Sequence, residues 1–537
     1  MLNLIKQKIA KSALSVGVLS IILTSCGGEE VKHSNYLPSN SCVVMSLNTE
    51  EIFSDAFFDL IANNDLTSDF ATGPLSEMFK DPANAGIKRL TKYHFFASGS
   101  NLLEGKLGAI LPLNDKEKLA AYIEKNFPET EVFEDGELLV AEISGEHTVV
   151  WNENTAIYVF SAFGGDQVAS AKQMFKNTDE QSLEKADSTF NYALNNDAHV
   201  SVWVKNDDFA DFIDQGLNML QGVKIFDKLN VNKEDIKGAK SVFLANFNDG
   251  NITVQQRQYL NPVQMSIYNG FEKENNITNL TKIVSNPDPM LMLSASLNSN
   301  GLQSLLEEYQ IDDLWKEYTK NSLLGAVQLK QLSQYFEGDV LMMLNGIAIE
   351  KQTIVSADID DEGNDIEVSQ EVEMPTPQMA IGLSMKDAAK FKLTIGMLAA
   401  ALPKYEGYSN YNNKFYFKVA DDIMYVTASK SGVDALNTAK GELKPELKSL
   451  ITSYRTSAYV NFSAIVNEAP KLGVPVMGGV DNLNSLLVSE RGVKGQGVIE
   501  GETIIKFNSN ENGLISTVKL LNGLGQILVP LMTTFHI

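Results

Sequence analysis

"SNSCVVMSLNTEEIFSDAF" (39–57) and "PMLMLSASLNSNGLQSLL" (289–306) follow one plan, and their likeness decides how the chain is read. Each has an apolar run, a Ser-Leu-Asn step and then a helical pattern, which sets Asn48 against Asn298. The plan predicts a strand that runs straight into a helix. Asn48 and Thr49 are residue types that accept hydrogen bonds from free helix N–H groups. Glu50 and Glu51 fall in the first turn, where the helix dipole favours acids. Cys42 reads as filler in the apolar strand, a buried and inert thiol.

Further stretches recur in the same order. "KYHFFASGS" (92–100) corresponds to "GDVLMMLNG" (338–346), and "GAILPLNDKEKLAAYI" (108–123) to "QMAIGLSMKDAAKFKL" (378–393). "TAIYVFSAFGGDQVASA" (155–171) corresponds to "DIMYVTASKSGVDALNT" (422–438), and "DAHVSVWVKNDDFADFI" (197–213) to "SAYVNFSAIVNEA" (457–469). "SVFLANFNDGNITV" (241–254) is set against "ETIIKFNSNENGLISTV" (502–518). The chain is therefore expected to hold two homologous halves, 37–286 and 287–537, meeting at the proline-punctuated "SNPDPM" (285–290). Each half reads as α+β. Apolar alternation broken by turn residues signals antiparallel hairpins. "NDKEKLAAYIEKNF" (114–127) puts Leu119, Ala120, Ile123 and Phe127 on one helix face behind an Asn114 cap. Sheets with helices packed on one face are the economical arrangement. Edge-to-edge joining and clam-like closure of the halves both stay open.

The N-terminus speaks to location. Lys6, Lys8 and Lys11 precede the short apolar stretch "ALSVGVLSIIL" (13–23), the parts of a secretory signal and too short for a permanent span. Leu23-Thr24-Ser25-Cys26 resembles the lipobox of bacterial lipoproteins. The resemblance implies cleavage between Ser25 and Cys26, a signal peptide over 1–25, and acylation of Cys26 with palmitate-type chains that hold the protein in a membrane. Residues 26–36 read as an acidic flexible tether. Gly27 after the cysteine looks like outer-membrane sorting, and Glu29 and Glu30 like a surface-export signal. Periplasmic and cell-surface faces both stay open.

The 537 residues are 44% hydrophobic and 21% charged, a globular composition with length for more than one core. Removing residues 1–25, which hold three lysines and no acid, takes the net charge from −24 to −27. Such a surface repels nucleic acid and anionic lipid, so no nucleic-acid partner is expected and the acyl chains must do the anchoring.

The chemistry-bearing residues form no catalytic set. His33, His94, His147, His199 and His536 include no pair at metal-binding spacing. "RGVKGQG" (491–497) has neither Walker spacing nor a helix after it. No cofactor is expected, and the reading leans away from an enzyme. "SADIDDEGNDIEVSQEVEMP" (356–375) starts like a calcium loop, with Asp358, Asp360 and Glu362 as alternating oxygen ligands. Position twelve is Ser369, and the alternating flanks predict instead an acidic hairpin, an insertion of about 348–375. "YEGYSNYNNKFYF" (405–417) offers Tyr405, Tyr408 and Tyr411 as aromatic faces suited to sugar rings; its plainer reading is a loop feeding a strand.

"LTSCGGEE" followed by "YLPSNSCVVMSLNTEEI" resembles an uncharacterised family of large outer-membrane lipoproteins from gut-type, Bacteroidetes-like anaerobes. The resemblance implies location and architecture. The expectation is a lipid-anchored envelope protein, first of all a non-catalytic binding or scaffolding module. Its partner would be another envelope protein or a glycan, the glycan being bound or processed. The remaining alternative is a lipid or lipoprotein carrier with an internal cavity.

Overall fold

The computed structural model describes residues 32–50, 82–99, 105–161, 165–177, 182–206, 208, 236–301, 334–359, 365–411, 415–473, 479–493, 495, 497–517, 519 and 520. The leader, Cys26, the predicted helix after Thr49 and the tip of the acidic hairpin lie outside these residues.

Among the described residues twenty strands form one antiparallel sheet. In chain order, β1–β5 are Ser41–Asn48, Lys92–Ser98, Lys106–Pro112, Val132–Asp135 and Leu138–Ser144. β6–β10 are His147–Trp151, Thr155–Phe160, Val200–Lys205, Lys240–Asn248 and Asn251–Tyr259. β11–β15 are Leu291–Ser296, Phe336–Ile359, Asp365–Met385, Lys404–Tyr405 and Tyr408–Tyr411. β16–β20 are Phe415–Ala420, Ile423–Thr427, Thr456–Asn461, Leu483–Glu490 and Val498–Phe507. The helices used below are α1 (Lys116–Asn126), α2 (Gln167–Phe175), α3 (Ser188–Leu194), α4 (Ala388–Ala401), α5 (Lys430–Asn437) and α6 (Pro445–Ser453).

From one edge the order is β4-β5-β6-β7-β3-β2-β1-β8-β9-β10. It continues as β20-β19-β18-β11-β12-β13-β17-β16-β15-β14. The two runs mirror each other about the β10–β20 ladder, where Gln255 faces Glu502. The sheet is thus joined edge to edge.

Counting partners outward from that ladder places Met45 where Leu293 stands and Ser46 where Ser294 stands. Burial agrees: Met45 is 37% and Leu293 39% exposed, while Ser46 and Ser294 are buried. The matching of Asn48 with Asn298 is therefore two residues out of step, and in the sheet Asn48 stands where Ser296 does. The sheet also sets β9 and β10 against β19 and β20, not residues 241–254 against 502–518. Register follows hydrogen bonding and burial, which the shared Ser-Leu-Asn string does not report.

Helices cover both faces of the sheet, a correction to the single covered face expected from sequence. Val44, Phe96, Ile157 and Trp203 pack with residues of α2 and α3 on one face. Tyr93, Leu111, Trp151 and Ala156 pack with Leu119, Tyr122 and Ile123 of α1 on the other. Strand β3 explains this: Gly108–Pro112 are buried without a break, so both faces need cover. In the second run, Val433 and Leu436 of α5 and Leu447 and Leu450 of α6 pack against Met292, Leu341 and Met343. Phe391 of α4 packs against Met385 and Met424.

Capping also differs in detail. Asp115, not Asn114, caps α1, accepting the N–H groups of Glu117 (3.2 Å) and Lys118 (3.0 Å). Thr49 is fully buried, and its Oγ1 lies 2.7 Å from the carbonyls of Arg89 and Thr91 while accepting the Thr91 N–H at 3.0 Å. Its hydroxyl therefore ties β1 to the start of β2.

Strands β12 and β13 run on past the sheet. β11 pairs with β12 only as far as Leu344, and β17 with β13 only from Ile381. From Ile347–Pro377 to Ile359–Asp365 they pair only with each other, an antiparallel ribbon where the acidic hairpin was expected. Among the described residues no helix is long and apolar enough to cross a membrane.

Candidate functional site

The four described histidines each have their own bond, and His536 lies outside the described residues. His33 Nδ1 lies 3.0 Å from Thr155 Oγ1, His94 Nδ1 2.8 Å from Ser46 Oγ, and His147 Nδ1 2.6 Å from Tyr158 Oη. His199 Nδ1 accepts the Phe247 N–H at 2.9 Å. Burial lowers His33 to a pKa of about 4 and His94 to about 3, with help from neighbouring positive charge, so both are neutral at pH 7. Among the described residues no three His, Cys, Asp or Glu side chains gather as metal ligands do. Cys42 donates from Sγ to the Ala97 carbonyl at 3.4 Å, and burial raises its thiol to about 11, far from a reactive thiolate.

The tyrosine loop folds into the outer strands β14–β16. Tyr408 is 2% exposed within the core, whereas Tyr405 stands edge-on to Tyr416 with ring centroids 5.9 Å apart, and Tyr411 is half-buried. The three rings do not make one exposed platform. Asp358 lies in the β12 ladder opposite Ile366; Asp360 and Glu362 lie outside the described residues. "RGVKGQG" is the connection from β19 to β20.

What the sheet does bring together is an apolar floor on the α1 face. Strand parity puts Val43 and Met45 of β1, Phe95 and Ala97 of β2, Leu107, Ala109 and Leu111 of β3, Tyr158 of β7 and Val202 of β8 on that face. These residues line a cavity of about 470 Å³, open on one side. Met45 and Leu107 stay 37% and 43% exposed. Phe96 points to the opposite face, its ring lying over Gly108, where a Cβ would come within 2.2 Å of Phe96 Cζ. At the β7 end of the floor, Tyr158 is held by His147, and burial raises its hydroxyl to about 12. Sequence reasoning missed this floor. Its signal was present in the alternation of β1 and β2, but how far α1 covers that face depends on where α1 docks.

The family described as "Domain of unknown function (DUF4836)" matches residues 35–457. The chain belongs to that family. The family's span includes the whole floor and ends within β18. No curated protein matches. Among solved structures, "Structure of crystal form IV of TP0453" is matched with a TM-score of 0.30 and 11% identity, over 45% of this chain and 86% of that one. "Structure of crystal form III of TP0453" follows with a TM-score of 0.29 and 11% identity, over 45% and 88%. At these scores they say nothing of this chain's fold or activity.

Proposed function

We propose that this member of the family is a lipid-anchored protein of the bacterial outer membrane. After cleavage between Ser25 and Cys26, acyl chains on Cys26 hold it there, and it binds an apolar ligand on the α1 face rather than transforming a substrate. The observation that carries the binding reading is the open apolar cavity over β7, β3, β2, β1 and β8. Its volume lies within the few hundred to a thousand Å³ usual for small-ligand sites. Apolar surface left in water forgoes about 25 cal/mol per Å², so a concave apolar floor favours whatever covers it. The separately paired, neutral His33 and His94 and the protonated Cys42 support binding over catalysis. The mirrored strand order supports a duplicated α+β unit, β1–β10 and β11–β20 being its two copies.

Two measurements test this. Cys26→Ala should release the protein from the outer-membrane fraction, and continued partitioning with that membrane removes the anchor. The neutral apolar dye N-phenyl-1-naphthylamine should bind the folded chain and be lost in Met45→Asp/Leu107→Asp. Equal dye binding by that variant removes the site.

A further inference from the structure

We infer that the cavity holds the single alkyl chain of a fatty acid, and that Ala97 and Ala109 are the residues that open it. The inference rests on the apolar-binding reading and names its ligand.

The two strand runs supply an internal comparison. On the α1 face Ala97 stands between Val43 and Leu107, and Ala109 between Phe95 and Tyr158. The same places in the second run are taken by Leu344, between Leu291 and Met379, and Ile381, between Met342 and Val426. Both alanines are thus replaced by larger, branched side chains, each half-buried. Leu293 and Val488 keep that second floor apolar, at 39% and 38% exposure. The cavity therefore follows from two truncated side chains on neighbouring strands and not from apolarity alone.

The chemistry of the walls selects the occupant. Strands β1, β2, β3, β7 and β8 each have a neighbour on both sides, so their backbone groups are engaged in ladders. Apart from the Tyr158 hydroxyl, already bonded to His147, the floor's side chains are hydrocarbon or thioether. A peptide laid here would bury amide groups without partners, at a cost of a few kcal/mol each; an alkyl chain has none to bury. Neighbouring strands lie about 4.8 Å apart, so the channel opened by two adjacent alanines admits one chain rather than a pair. A concave site suits a single alkyl chain rather than a flat bilayer, and a chain of net charge −24 repels an anionic bilayer surface. Its carboxylate stays at the open side, in water.

The full chain carrying Cys26→Ala, free of detergent, is titrated with cis-parinaric acid and then with palmitate. The expected result is saturable fluorescence at one probe per chain, displaced by palmitate. Ala97→Leu/Ala109→Ile, which installs the side chains of the second run, should weaken binding at least tenfold with the circular dichroism spectrum unchanged. Leu344→Ala/Ile381→Ala should raise the stoichiometry from one to two. Undiminished binding by the filled variant overturns the inference, as does a stoichiometry that stays at one in the opened variant. If the dye still binds but neither fatty acid does, the alkyl-chain inference falls and the apolar-binding reading stands. If the dye fails as well, both fall.

Discussion

Ser46 and Ser294 stand at the same place in the mirrored sheet and are satisfied differently. Ser46 bonds to His94, whereas Ser294 Oγ lies 2.5 Å from Ser457 Oγ and Leu341 takes the place of His94. The histidine makes the first run sensitive to acid. Between about pH 6.5 and 3 the unfolded chain takes up a proton that folded His94 refuses, and His33 acts likewise down to about pH 4. Their contribution is complete above pH 6.5 and is lost as the pH falls, by up to about 1.4 kcal/mol per pH unit for each group. His94→Leu should therefore move the acid-unfolding midpoint to lower pH, with Ser46 turning to Ser201, which faces it across β8. An unchanged midpoint in acid titrations followed by circular dichroism would refute this. A second buried pair carries a larger single-residue cost. Asp339 is 1% exposed and takes Lys273 Nζ at 2.5 Å and Ser296 Oγ at 2.7 Å. Lys273→Ala leaves that carboxylate buried without its cation, which costs about 3–5 kcal/mol, to be read from urea unfolding at pH 7.

At the element scale, the ribbon of β12 and β13 is the clearest addition to the second run. Its place in the first run is taken by β2 and β3, strands of 7 residues each. Residues 348–376 hold nine carboxylates and one lysine, and the described part of the ribbon is exposed, with Ile349 at 50% and Met374 at 37%. A two-stranded ribbon on its own is marginally stable in water. Among the described residues its base is tied down: Glu350 Oε1 accepts the Ser431 N–H at 2.8 Å, and Lys471 Nζ donates to the Ile347 carbonyl at 3.0 Å. Replacing residues 351–373 by Asn-Gly should shift stability in urea by no more than about 1 kcal/mol, since Lys351, Thr353, Ser369, Gln370, Glu371 and Glu373 are exposed. A larger loss would mean that the distal ribbon supports the sheet.

At the scale of the whole molecule, among the described residues large cores lie on either side of the β10–β20 ladder. Trp203 and Phe190 lie on one side and Tyr416 and Met343 on the other. The small cluster of Ile252, Leu483 and Phe507 sits at β10, β19 and β20. Nine residue pairs join β10 to β20 there, and Arg257 meets Glu500 at 2.6 Å while lying 3.7 Å from the Tyr192 ring centroid. Such a ladder couples the cores. A single calorimetric transition is expected for the intact chain and two for Thr503→Pro, because proline removes a ladder donor from a central strand. Two transitions already present without the substitution would show that the ladder does not couple them.

Sequence by itself determined what periodicity and composition can carry. Alternating strands, a helix within 114–127, the burial of Cys42 and the acidic hairpin are local, because each depends on side chains within a few turns of one another. The recurring order of stretches also showed in the sequence, though two residues out of step at β1, since pairing partners lie far away along the chain. Only the tertiary structure decided the rest. It joined the sheet at β10 and β20, where Gln255 meets Glu502. It spent the Thr49 hydroxyl on β2 and sent Tyr408 into the core. It also left the α1 face open above Ala97 and Ala109 while Leu344 and Ile381 fill the matching places. Two alanines can be read from a sequence, but that they stand diagonally side by side on one face follows only from the register of β2 and β3.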